Sequence, residues 1–234
     1  MPSKFPNGLA RFYRHHSDMN PAKEDMLNHH LKGRDINDPA VLRAMAEVDR
    51  TAFIPEELQA LAYADRPLPI GGGQTISQPY IVAYMAQELR LGPDDTVLEC
   101  GAGCGYNAAV LSRIVKQVYT VEIVPELAGN ARQNLERAGI GNVEVRQGDA
   151  YMGWPEHAPF DAMILTAAPA AIPEPLKQQL RVGGRLLAPI GVEVQHLVLL
   201  TKTDDEHFVE SALLPVRFVP MTGQARGSWS FNLK

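Results

Sequence analysis

Apolar residues along this chain fall into two alternating patterns. Short, almost unbroken apolar runs at Thr96–Cys100, Val118–Glu122, Val143–Arg146, Asp161–Thr166 and Arg185–Pro189 predict buried strands. Between them, Tyr106–Val115, Pro125–Ala138 and Pro173–Leu180 carry apolar positions at helical spacing. Strands buried on both faces that alternate with helices predict a parallel sheet covered on both sides. Two further runs, His196–Lys202 and Ser211–Phe218, flank the polar turn Thr203-Asp204-Asp205-Glu206. They predict a hairpin that finishes the sheet with a terminal antiparallel strand.

Upstream the pattern is purely helical. Ala22–Lys32 reads as a helix stopped by Gly33. Asp38-Pro39 opens a second that runs to about Val48 and buries Val41, Leu42 and Met45. A short helix is expected over Glu56–Tyr63, and a longer one over Pro79–Leu91 with Ile81, Met85 and Leu89 on one face. Arg66–Pro79 is rich in Pro and Gly yet carries Leu, Ile and hydroxyl and amide groups. Loops of that mix leading into a helix commonly line sites. Ser77 stands where it can cap the Pro79 helix. The expected organisation is a loose, polar extension over 1–21 and one domain over 22–234. Within that domain, helices and the site loop occupy 22–92, a cofactor-binding core 93–223 and a tail 224–234.

Composition adds bounds. A chain of 234 residues, 45% hydrophobic and 21% charged, suits one soluble α/β domain. Its net charge of −5 argues against a nucleic-acid backbone as partner. No apolar run is long enough to span a membrane, and residues 1–20 lack the apolar core of a secretory signal. Cys100 and Cys104 are the two cysteines, too few for a disulfide framework, and read as small apolar filler in a reducing cytoplasm. The pairs His15-His16 and His29-His30 read as surface histidines, because neighbours on an element point apart. No metal site is expected. Nothing in the pattern fixes an oligomeric state, and a monomer is taken as the default.

The chemistry concentrates where the first core strand ends. Val97-Leu98-Glu99-Cys100-Gly101-Ala102-Gly103-Cys104-Gly105-Tyr106 runs from strand through glycine turn to helix, and Glu122 closes the next strand. That is how a doubly wound α/β domain holds an adenosine-containing cofactor. The glycines fall as G-x-G-x-G, one residue tighter than the dinucleotide fingerprint. Glu99, two positions before the first of them, would repel a pyrophosphate and suit a cation. S-adenosylmethionine has a sulfonium, an ammonium and no phosphate. The competing expectation is a nicotinamide-type oxidoreductase or a non-catalytic adenosine binder, which both glycine spacing and Glu99 disfavour.

At this point the chain resembles the protein-L-isoaspartate (D-aspartate) O-methyltransferase family from Asp25 to Gly223. The resemblance rests on Pro67-Leu68-Pro69-Ile70-Gly71, Gly73-Gln74-Thr75-Ile76-Ser77-Gln78-Pro79 and the glycine turn. It continues through Gly148-Asp149, Gly153-Trp154, Ala158-Pro159-Phe160-Asp161, Ala167-Ala168-Pro169 and Phe218-Val219-Pro220. Ala102 and Cys104 stand where the family usually has hydroxyl residues, Gly72 where many members have His, and Ala150 where Gly is common. The resemblance implies a class I S-adenosylmethionine-dependent methyltransferase fold: a Rossmann-like doubly wound sheet, mostly parallel, with a terminal antiparallel strand and an N-terminal helical subdomain. It implies methyl transfer to the α-carboxylate of isoaspartyl residues in damaged proteins, which starts repair through a succinimide. A related enzyme acting on another peptide carboxylate, such as aspartate in a biosynthetic peptide, is the alternative.

Site roles follow from chemistry and resemblance together. A carboxylate acceptor is already an anion at neutral pH, so no strong base is needed and alignment must do most of the work. The family's active-site serine falls on Ser77, expected to orient the acceptor; Thr75 can bond either carboxylate or cofactor. Glu122 is expected on the ribose hydroxyls and Asp149 by the adenine. Glu99 is expected to order the turn's amides or face the ammonium, with Gly101, Gly103 and Gly105 allowing close approach. Ile76, Ala168 and Pro169 are expected to border the substrate. Tyr106 is read evenly as core or site wall, and Trp154 as packing.

Overall fold

The computed structural model describes residues 20–225. The expected extension over 1–21, apart from its last two residues, lies outside that range, as do His15-His16 and most of the tail. Seven strands form one sheet: β3 (Thr96–Cys100), β4 (Gln117–Glu122), β5 (Val143–Gln147), β6 (Phe160–Leu165), β7 (Leu180–Ile190), β8 (Gln195–Lys202) and β9 (Phe208–Val216). Their order is β5-β4-β3-β6-β7-β8-β9. The first five pair in parallel, and β8 runs antiparallel to both β7 and β9. The order reverses at β3, whose neighbours β4 and β6 diverge in sequence direction, and a crevice opens beyond the carboxyl ends of such strands.

The core strands form because their residues can be buried on both faces. Val97, Leu98, Val118, Val121, Met163, Ile164 and Leu165 are all fully covered. One face of the sheet takes α5 (Pro125–Arg137), which turns Leu127, Ala128, Ala131 and Leu135 inward. Pro125 opens that helix, and Gly139, in the left-handed region at φ 65°, closes it. On the other face Leu98, Met163, Leu165 and Leu186 pack with Trp154 and Leu176 of α6 (Glu174–Gln178). Trp154 is packing, as expected; its ring lies edge-on to Tyr119 and beneath Arg146.

Several boundaries differ from the sequence expectation for local reasons. The helix expected over Tyr106–Val115 is α4 (Tyr106–Ser112). The Ser112 hydroxyl donates back to the Ala109 carbonyl at 2.7 Å, and the next amides bond three residues back, so the helix tightens and ends while Ile114 and Val115 stay buried. The helix expected over Ala22–Lys32 is α1 (Pro21–Asp25) followed by a π-wound segment, Met26–Lys32. Wider winding brings Met26 and Leu31, five residues apart, onto one buried face. Glu56–Tyr63 is a 3₁₀ segment, Glu56–Leu61. The site loop hides a hairpin: β1 (Leu68–Gly71) pairs antiparallel with β2 (Gln74–Ile76) across three glycines at positive φ. Its prolines and glycines masked the alternation that buries Leu68 and Ile70.

Two helices position that hairpin. α3 (Pro79–Leu89) follows β2 directly and ends at Arg90 in the left-handed region. Gln78, not Ser77, is its N-cap residue, and the first-turn amide of Tyr80 donates instead to the Asp65 carboxylate at 3.4 Å, which corrects the capping expectation for Ser77. α2 (Pro39–Glu47) is capped by Asp38, whose carboxylate accepts from Ala40 and Val41 amides at 2.7 and 3.2 Å. The Asp38 amide in turn donates to Gln87 on α3 at 3.0 Å, so this cap also joins the two helices. Asp38→Ala should therefore lower the unfolding free energy by about 1 kcal/mol with an unchanged urea m-value, a loss within the usual range for an N-cap. Unchanged stability would show that the two amides are satisfied without the carboxylate.

Candidate active site

The site is built around a stretch of backbone that must stay bare. Gly101 follows β3 with φ 106°, and a Cβ there would sit 2.3 Å from the Thr166 hydroxyl oxygen. That hydroxyl, at the end of β6, donates to the Gly101 carbonyl at 2.6 Å. The Gly101 amide donates to the Val121 carbonyl of β4. Gly103 has φ 54°, and a Cβ on it would press on Ile70 of β1 at 3.2 Å. Gly105, at φ 90°, begins α4; its bare face admits Ala131 and Leu135 of α5. Gly101 and Gly103 line the cavity beyond the turn, whereas Gly105 does not, so its role is helix packing rather than cofactor approach.

Two acids divide the work of holding this turn. Glu122 ends β4 and is almost fully covered. One carboxylate oxygen accepts from the Gly103 amide at 2.8 Å and the other from the Val124 amide at 2.9 Å. Both oxygens keep a further lone pair, and Glu122 lines the cavity. Ordering the turn's amides is therefore done by Glu122 and not by Glu99, against the sequence expectation. Glu99 has no exposed surface and does not line the cavity. Its oxygens accept from Asn107 Nδ2 at 2.7 Å and from the Thr120 hydroxyl at 2.5 Å. It acts from beneath, by fixing Asn107, which does line the cavity. Asn107 carries no sequence signal beyond its place after the third glycine, and the sequence reading missed it.

Asp149 follows β5 and also lines the cavity. It accepts from the Tyr151 amide at 2.9 Å and from the Gln224 amide at 2.7 Å. That second bond pins a strap after β9, from Val219 to Ala225, across the cavity mouth. Gly223 must be glycine for this closeness, since a Cβ would lie 2.3 Å from the Asp149 carboxylate. Ala168 holds the strap at its other end: its amide donates to Val219 and its carbonyl accepts from Met221, both at 2.8 Å. Ala168 is wholly buried, and neither it nor Pro169 lines a cavity. Thr166 and Ala167, two residues earlier, line the cavity instead. Sequence spacing put these residues at the right strand end but could not say which side chains the strap would cover.

The hairpin completes the site. Thr75, Ile76 and Ser77 all face the cavity formed by the glycine turn. Ile76 faces only that cavity, whereas Thr75 and Ser77 also line a second, more open cleft. The cleft runs between Gln78 and Ile81 on one side and Val192–Gln195 and Pro215–Phe218 on the other. Thr75, Ser77, Thr166, Val219 and Pro220 are common to both, so three hydroxyl groups stand where the spaces join. Tyr106 lines the cavity and is also fully buried against Phe53, so both of its readings hold. The thiols of Cys100 and Cys104 are buried, and burial pushes both up, that of Cys104 to about 11, which keeps them protonated and inert.

Among the described residues, the cavity wall carries Glu122 and Asp149 and no Lys, Arg or His. An acidic wall without bases rejects a pyrophosphate and suits a cationic adenosine derivative. Bare backbone at Gly101 and Gly103 lets such a ligand lie against the turn. The residues present thus fit S-adenosylmethionine.

Comparison with known proteins agrees with this fit. The model of the protein-L-isoaspartate(D-aspartate) O-methyltransferase family matches residues 21–226. A relative from Pelobacter propionicus named protein-L-isoaspartate O-methyltransferase 2 is 54% identical over 203 residues, covering 86% of this chain and 90% of its own. One from Picosynechococcus named protein-L-isoaspartate O-methyltransferase is 52% identical, covering 88% and 92%. A solved protein-L-isoaspartate O-methyltransferase superposes with a TM-score of 0.80 at 32% identity, over 87% of this chain and 67% of its own. A beta-aspartate methyltransferase from Plasmodium falciparum, solved with S-adenosyl-L-homocysteine, superposes at 0.76 with 27% identity, over 87% and 99%.

The buried acid makes a measurable consequence. Burial raises the Glu99 carboxyl to about 7, against the bonds from Thr120 and Asn107 that lower it, and nearby Glu122 adds to the rise. An unfolded Glu ionises near pH ~4.3. Between those values the folded chain holds the extra proton, so Glu99 makes stability fall as pH rises from about 4.5 to about 7, then level off. Glu99→Gln keeps both bonds, with Thr120 as acceptor of one. It should flatten this fall and make the variant the more stable form at pH 8. Parallel wild-type and variant curves of melting temperature against pH would refute an ionising Glu99.

Proposed function

The chain belongs to the protein-L-isoaspartate(D-aspartate) O-methyltransferase family, and we propose that its two joined spaces divide methyl transfer between donor and acceptor. The enzyme methylates isoaspartyl residues with S-adenosylmethionine, the step that begins their repair. Bound S-adenosylmethionine supplies an electrophilic methyl on a sulfonium. The cavity under the strap would hold it: Glu122 toward the ribose hydroxyls, Asp149 toward the adenine, and Gly101 and Gly103 beneath the chain. The open cleft would take an extended peptide, with the isoaspartyl α-carboxylate at the junction of the two spaces.

The observation that carries this division is the junction itself, where Thr75, Ser77 and Thr166 line both spaces. Among the described residues the Thr75 and Ser77 hydroxyls have no hydrogen-bond partner, while that of Thr166 is spent on the turn's carbonyls. Of these two free hydroxyls, we assign Ser77, where the family's active-site serine falls, to donate to the carboxylate and align it. No general base is needed, because the acceptor arrives ionised. The strap and hairpin exclude water from the donor side, which strengthens every charge interaction inside. We assign the reaction to damaged proteins and peptides in the cytoplasm, and take the working unit to be the monomer. No helix among the described residues is long and apolar enough to cross a membrane.

The purified protein should label an isoaspartyl peptide with methyl from S-adenosylmethionine and leave its aspartyl twin unlabelled. Equal labelling would move the enzyme to the alternative peptide carboxylate. Ser77→Ala should lower turnover on that peptide by at least about tenfold, a typical loss for one aligning donor. Its affinity for S-adenosylhomocysteine, read by calorimetry, should stay near that of the wild type. Full turnover by the variant would leave Ser77 without a part in the chemistry.

A further inference from the structure

Arg50 has no exposed surface, and no function assigned so far uses it. Its Nε donates to the Ala62 carbonyl at 2.8 Å, and its Nη2 to the Ser77 carbonyl at 2.7 Å. Its guanidinium carbon lies 4.7 Å from the centre of the Tyr106 ring. Its Nη1 is buried with no acceptor. No carboxylate pairs with it among the described residues: neighbouring Asp49 accepts from Thr51 and Tyr63 instead. A lone buried cation is a poor way to fill a core, since an apolar side chain of like size avoids its desolvation. Arginine stays charged even there.

Its partners explain the placement. Ala62 closes the 3₁₀ segment Glu56–Leu61, Ser77 joins β2 to α3, and Tyr106 opens α4 beyond the glycine turn. One planar fork therefore ties the acceptor junction to the wall of the donor cavity. We propose that Arg50 is a positioning residue for methyl transfer: it fixes the Ser77 main chain against Tyr106 and sets an unpaired positive charge behind the junction. This rests on the reading of Ser77 as the group that aligns the carboxylate. The reaction breaks the methyl–sulfur bond, forms a methyl–oxygen bond and turns an anionic acceptor into a neutral ester. A fixed cation behind the junction thus holds substrate more strongly than product.

The test compares Arg50→Lys, Arg50→Met, Ser77→Ala and the Arg50→Lys/Ser77→Ala double variant. The readings are kcat and KM for an isoaspartyl peptide, Kd for S-adenosylhomocysteine and melting temperature. Lysine keeps the charge but not the fork, and carries the test if the methionine variant fails to fold. Arg50→Lys should lose about tenfold or more in kcat/KM with S-adenosylhomocysteine affinity within about threefold, and its loss should not multiply with that of Ser77→Ala. Three results would overturn the inference: wild-type peptide kinetics in Arg50→Lys, equal losses toward peptide and S-adenosylhomocysteine, or fully multiplicative losses in the double variant. If Ser77→Ala is itself silent, the Ser77 reading falls first and takes the inference with it. If Ser77→Ala is impaired and Arg50→Lys is not, the inference alone falls.

Discussion

A turn of bare backbone at the carboxyl end of β3 sets the constraint on which the other parts of the site depend. Its amides and carbonyls must face both the ligand and the protein, so every neighbour is arranged to satisfy them without crowding. Glu122 takes the Gly103 amide, Thr166 donates to the Gly101 carbonyl, and Asn134 on α5 donates to the Cys104 carbonyl. The cost of leaving such groups unpaired in a covered site is of order 1–3 kcal/mol each. Three strands and a helix thereby converge on a few residues, and their side chains are committed to holding the turn before any ligand arrives.

That commitment separates holding from binding. Glu99 and Glu122 sit close together, yet one is sealed beneath the turn and the other opens to the cavity. Their difference is one of position along the sheet: Glu99 lies within β3, flanked by β4 and β6, whereas Glu122 ends β4. The same logic applies on the acceptor side. Ala168 fastens the strap, Thr166 and Ala167 meet the cavity, and two residues of chain decide which.

The site's charges are arranged in layers. Among the described residues, acids line the cavity at the glycine turn and no base does, while a fully buried cation, Arg50, stands behind Ser77 among carbonyls and an aromatic face. The hairpin β1–β2 and the strap after β9, far apart in sequence, both line the cavity at the glycine turn. Both are short and both depend on glycines at positive φ, Gly71 to Gly73 in one and Gly223 in the other. The strap's Val219 and Pro220 also line the cleft beside that cavity.

Periodicity and turn chemistry were enough to establish the parallel core, the glycine turn and the nature of its ligand. Those features are local: a strand buried on both faces must be apolar throughout, and a turn against a ligand must be glycine; the acid before the turn, Glu99, proved to lie beneath it, and the acids that face the cavity are Glu122 and Asp149. The Gly73–Pro79 loop likewise pointed to the acceptor before any coordinates. Tertiary structure alone decided which carboxylate faces the cavity, that the Thr166 hydroxyl is spent on the turn, and that the loop is a hairpin. It alone revealed that the hairpin and the strap, well over a hundred residues apart in sequence, line one cavity. Arg50 shows why. Nothing in its neighbourhood in sequence distinguishes it from a solvated surface arginine; its burial arises only when Ala62, Ser77 and Tyr106, distant in the chain, close around it.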